Sequence, residues 1–81
     1  MELSTLLESK LKENNTSEII LMSKYGEKTR IGKNDIIKDE NDFIYIFKED
    51  GTIEILLSIK DISKIIIKRY ESITRDNISV Y

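Results

Sequence analysis

Between Phe43 and Ile59 two apolar runs, Phe43-Ile44-Tyr45-Ile46-Phe47 and Thr52-Ile53-Glu54-Ile55-Leu56-Leu57-Ser58-Ile59, flank the polar stretch Lys48-Glu49-Asp50-Gly51. β-branched and aromatic residues on either side of a glycine that tolerates positive φ predict a β-hairpin. Side chains alternate along a strand, so Ile53, Ile55, Leu57 and Ile59 share one face of the second run. In the first run Phe43, Tyr45 and Phe47 project one way and Ile44 and Ile46 the other, and loop parity decides which set enters the core. A two-residue Asp50-Gly51 turn sets Ile46 opposite Ile55 and Ile44 opposite Leu57, with the aromatics outward beside Leu56. A three-residue Glu49-Asp50-Gly51 loop sets Phe47 and Tyr45 opposite Ile53 and Ile55 instead. Both registers leave an apolar strip on the far face, which predicts a cover: the protein's own helix or another subunit.

Upstream, Leu3, Leu6, Leu7 and Leu11 fall at helical spacing, predicting a short amphipathic helix over residues 2–13 that needs its leucine stripe buried. The hairpin's surplus apolar face is an available surface for it. Ile19-Ile20-Leu21-Met22, inside a strand spanning Ser17 to Lys24, suits burial on both sides. Tyr25-Gly26-Glu27 reads as a turn. The return strand Lys28-Thr29-Arg30-Ile31 is interrupted at Gly32-Lys33-Asn34-Asp35 and resumes at Ile36-Ile37, a pattern that marks a bulge or sharp bend. Lys38-Asp39-Glu40-Asn41-Asp42 reads as a charged turn, Lys60-Asp61 as one tight helical turn, and Ile62 to Arg69 as the last strand. Residues 70–81 form a tail. The chain is a single domain, with residues 18–69 as its β-rich body.

The 81-residue length supports one modest core, and oligomerisation would relieve its marginal size. Cysteine and histidine are both absent, which excludes disulfides, thiolate metal sites and histidine acid–base chemistry. No cofactor or metal is expected. The start of the chain has no signal-peptide pattern and no run reaches membrane-spanning length, so the expected location is cytoplasmic, without a membrane partner. Thirteen basic against 15 acidic residues give a net charge of −2, which fits neither a generic DNA coat nor an acidic DNA mimic. The abundance of Ile, Lys, Asn and Asp fits an AT-rich coding sequence, as in a low-GC bacterium or its phages.

A helix followed by five strands, with a bend in the second and a single turn before the last, predicts a mainly β (α+β) fold: a strongly bent, five-stranded antiparallel small barrel. In that order of elements, from Leu11 to Lys68, the chain resembles Sm-like and SH3-like small barrels, in particular the bacterial RNA chaperones (Hfq) of the Sm-like family. The resemblance rests on the strand Glu18 to Lys24, the turn at Gly26, the Asp39-Glu40-Asn41-Asp42-Phe43 turn, and Ile59-Lys60-Asp61-Ile62-Ser63-Lys64-Ile65. It implies that Asn41, Phe43, Lys60 and Ser63 contact RNA bases at a ring pore. Asp61 departs from the family pattern: it stands where the family has an imidazole, and a carboxylate there repels phosphate.

The carboxylates Asp35, Asp39, Glu40, Glu49 and Asp50 fall in predicted turns, where acidic residues usually serve turn geometry, so the chain is not read as an enzyme. Aromatic residues lie near cations at Tyr25, at Phe43 to Lys48 and at Tyr70. Exposed rings of this kind stack on bases, whereas buried ones are core, the first reading for Phe43 and Phe47. Lys60, Lys64, Lys68 and Arg69 form a basic end suited to phosphates. Two functions follow. The first is a non-catalytic, self-associating barrel that binds RNA or a small nucleotide through Asn41, Phe43, Lys60, Ser63, Lys64 and Arg69, at that end or in a cleft between subunits. The second is a protein-interaction module, such as a phage-encoded inhibitor of a host defence protein, engaging its partner through Leu3, Leu7, Tyr45 and Leu56.

Overall fold

The computed structural model describes residues 2–70; the predicted tail lies outside the described residues apart from Tyr70. One helix, α1 (Leu3–Leu11), precedes six strands: β1 (Thr16–Ser23), β2 (Lys28–Ile31), β3 (Ile36–Glu40), β4 (Phe43–Phe47), β5 (Glu54–Ser58) and β6 (Ile62–Arg69). A single 3-10 turn, Ile59–Asp61, joins β5 to β6. The strands form two antiparallel three-stranded sheets, ordered β2-β1-β6 and β3-β4-β5. The fold is therefore mainly β with one short helix. It differs from the expected five-stranded barrel in two ways: the bent second strand divides into β2 and β3 in different sheets, and β5 and β6 are not paired, so the sheets do not close.

The bend between β2 and β3 comes from a side chain rather than from glycine's conformational freedom. Asp35 Oδ2 accepts the Gly32 N–H at 2.7 Å, and the Asp35 N–H donates to the Gly32 carbonyl at 3.2 Å, closing a turn. Only residues 41–42 connect β3 to β4, with Asn41 at φ 57°, so Lys38, Asp39 and Glu40 belong to a strand and not to the expected charged turn.

Hairpin β4–β5 pairs Ile46 with Ile55 and Ile44 with Leu57. This is the register of the two-residue alternative, reached through a longer loop of the same parity. Lys48 N–H donates to the Ile53 carbonyl, and Gly51, at φ 75°, donates to the Lys48 carbonyl, so residues 49–52 make the loop. Ile53 thereby leaves the predicted inner row and is 55% exposed.

The core lies between the sheets. Ile19, Leu21, Ile31, Ile37, Ile44 and Ile46 meet Leu7 and Leu11 of α1, while Leu3, Ile55, Leu57, Ile62 and Ile67 pack around them. The helix packs against β1 and β3, inside the open sandwich and not on the outer hairpin face. Its buried stripe is Leu7 and Leu11 with Leu3 partly covered, and Leu6 stays outside, 40% exposed. Asp39 follows Ile37 on the inner face of β3 and accepts the Ser4 N–H from the first turn of α1. A carboxylate at a helix N-terminus satisfies an orphan donor and complements the helix dipole. No helix among the described residues is long and apolar enough to cross a membrane.

Candidate functional site

Burial of the inner faces turns two contrasting outer faces to solvent. Outward on β2-β1-β6 are Lys28 and Arg30, then Glu18, Ile20 and Met22, then Lys64, Ile66 and Lys68. The register sets Lys28 and Lys64 across Met22, Arg30 and Ile66 across Ile20, and Lys68 beside Glu18. All four cations are exposed, while Ile20 between them is buried. Glu18, the one carboxylate on this face among the described residues, accepts Arg30 at 2.8 Å and lies 3.5 Å from Lys68. Lys28 and Lys64 make no ion pair among the described residues, so the face is net positive although the chain is net negative.

Outward on β3-β4-β5 are three rows: Glu40, Phe43 and Ser58; Lys38, Tyr45 and Leu56; Ile36, Phe47 and Glu54. Tyr45 and Phe47 stack with ring centroids 6.3 Å apart, and the Lys38 ammonium lies 5.9 Å from the Phe47 ring. Ile36, Phe43 and Leu56 are 54%, 41% and 49% exposed. Phe43 is therefore surface, not core, and Phe47 is half-buried.

The residues read from sequence as one basic end do not converge. Asn41, Phe43 and Lys60 are neighbours, because Phe43 pairs with Ser58 and the Ile59 N–H donates to the Asp42 carbonyl at 2.9 Å. Ser63 lies at the start of β6, its hydroxyl 3.3 Å from the Met22 carbonyl. Lys64 lies on the basic face. Arg69 pairs with Thr16 at the far end of β6 and is occupied there: its guanidinium donates to Glu13, Asn15 and Thr16. The hydrogen bond from Arg69 holds the Glu13 carboxyl below its ordinary value. Asp61 pairs with Lys24 at 3.2 Å, so each neutralises the other beside the turn. Lys28 and Arg30 complete the basic face and were missed from sequence, because only the β1–β2 register brings them level with Lys64 and Lys68.

Leu7, proposed for an interface, is 1% exposed, and Leu3 packs against the core, so both serve the fold. Tyr45 and Leu56 do reach the outer surface. Between β5 and the β1–β2 end, where the sheets fail to close, a cleft of about 210 Å³ has Leu21, Leu57 and Ile62 among its walls, with Ser23, Ser58 and Asp61 as polar members. No group of three or more metal-ligating side chains gathers among the described residues. No protein-family model, curated protein or solved structure matches the chain.

Proposed function

We propose that this chain is a non-catalytic, self-associating binding module, a partly closed small barrel of Sm-like element order, which holds the phosphates of RNA or a nucleotide on the outer face of β2-β1-β6. The carrying observation is the placement of Lys28, Arg30, Lys64 and Lys68 around a single carboxylate on one sheet face. Lys28 and Lys64 stand about 10 Å apart, two strand spacings, and Lys64 and Lys68 about 13 Å apart along β6. Cations at such separations are too far apart for successive phosphates and meet phosphates about two nucleotides apart on an extended strand. The weakly acidic composition is no obstacle, because binding responds to the local field, and Glu18 is the one carboxylate that the described strand residues place on this face. Self-association is supported by the outer edges of β5 and β6, which pair with no other strand among the described residues and so present rows of backbone donors and acceptors.

Labelled single-stranded RNA, with ATP as a competing nucleotide, tests the phosphate reading. Four phosphate contacts on a single strand give a log–log salt slope of about −3, or roughly a 50-fold loss of affinity between 50 and 200 mM salt. Lys28→Glu/Lys64→Glu should abolish binding. Lys12→Glu/Lys60→Glu carries the same charge change at exposed positions off the face, and should retain most of it. Equal losses in the two variants, or no RNA or ATP binding at low salt, would overturn the assignment.

A further inference from the structure

We infer that the outer face of β3-β4-β5 docks an amphipathic helix of another protein, one whose polar flanks are basic. This site is independent of the phosphate face and lies on the opposite sheet. Its centre is apolar: half-buried Tyr45 and Phe47 on the middle strand, with exposed Phe43, Ile36 and Leu56 around them. An apolar strip of this kind across three strands marks an interaction surface rather than scattered surface residues.

Charge selects the occupant. Glu40 and Glu54 stand at opposite corners of the face, Asp42 lies in the turn beyond one end, and Glu49 and Asp50 lie in the loop beyond the other. None of the five makes an ion pair among the described residues, and Lys38 is the one cation within the face. A second copy presenting the same face would bring acidic surroundings against acidic surroundings, and an anionic lipid surface would be repelled in the same way. A copy presenting its basic β2-β1-β6 face would offer no fully exposed apolar side chain at its centre, where Ile20 is buried and Ile66 half-buried. A partner with basic flanks gains at both ends.

Size selects its form. Three strands are about 10 Å across and five residues about 16 Å long. One helix, with a diameter of about 10–12 Å and a rise of 1.5 Å per residue, covers that area in roughly three turns. On the inner side, α1 already packs against β1 and β3 through leucines at four-residue spacing.

The probes are two synthetic 18-residue amphipathic peptides of one pattern, Leu with Lys and Leu with Glu, titrated by fluorescence anisotropy. The Leu/Lys peptide should bind at least about tenfold tighter than Leu/Glu, and Tyr45→Asp should weaken it about tenfold or more. Leu56→Asp should act in the same direction, and circular dichroism confirms that both variants fold. Glu40→Lys/Glu54→Lys should remove or invert the preference for Leu/Lys. Lys28→Glu/Lys64→Glu should leave that peptide's binding undiminished, which separates this site from the phosphate face. Equal affinity for the two peptides, indifference to Tyr45→Asp, or no binding at all overturns the inference. A fall in native mass on Tyr45→Asp also overturns it, because the face would then join copies of this chain.

Discussion

Asp35 has a side chain only 4% exposed, and it ties the corner between the sheets to the β4–β5 loop. Burial pushes its carboxyl up. The Lys48 ammonium at 2.6 Å and the N–H groups of Gly32 and Glu49 more than offset that, and the carboxyl is held below the ordinary aspartate range. A depressed folded-state pKa stabilises the protein above the unfolded value, and the contribution is lost as pH falls through the folded one. Asp35→Asn should therefore cost about 1.5–3 kcal/mol in urea denaturation at neutral pH. The gap from wild type should close as the pH drops below the ordinary carboxylate range; a gap independent of pH would assign the cost to packing alone. Sequence pattern reads Asp35 and Asp39 as turn carboxylates, since nothing local distinguishes a solvated carboxylate from one aimed inward. Asp39 did carry a signal in its parity: it lies two residues beyond the buried Ile37, on the face that receives α1.

Among the elements, the hairpin and the last strand were the most legible. β4 and β6 match their predicted spans, and the register of β4–β5 is one of the two that loop parity allowed. The loop length was not legible, because Asp50 Oδ1 accepts both the N–H and the hydroxyl of Thr52 and so stabilises a four-residue loop. Gly51 needs φ 75°, and an added Cβ there meets nothing within 4 Å, so Gly51→Ala should cost only the conformational penalty, about 1 kcal/mol. A larger loss of stability would mean that the loop packs against something further. The helix divides in a way that spacing alone cannot predict: Leu6 and Leu7 both fit a helical stripe, but only Leu7 reaches Ile19, Ile37 and Ile44 in the core. Leu7→Ala should cost about 2–5 kcal/mol, whereas Leu6→Ala should stay within about 1 kcal/mol, as urea titrations will measure.

At the scale of the whole molecule, the arrangement of charge was the least legible property. Lys64 and Lys68 can be placed on one strand face from sequence, but a basic surface exists only because β1 brings Lys28 and Arg30 alongside. The same dependence on strand pairing dispersed the predicted basic end, since Lys60 precedes the eight-residue strand β6 and Arg69 ends it. The open seam follows from the topology: β5 and β6 run to and from one 3-10 turn without pairing, which leaves Ile65, opposite Leu21 on the inward side of β6, 37% exposed. Apolar residues beside backbone edges that pair with no strand among the described residues form a surface that another strand covers well. If copies of this chain associate there, wild type should sediment at a multiple of the 9.5 kDa chain mass. Ile65→Lys should return it to the single-chain mass with its far-ultraviolet circular dichroism intact, because the change adds charge at the seam without opening the Leu7 core. A wild type that sediments as one chain at about 100 μM would leave β5 and β6 as open edges in solution, and the phosphate face would then act on each copy alone.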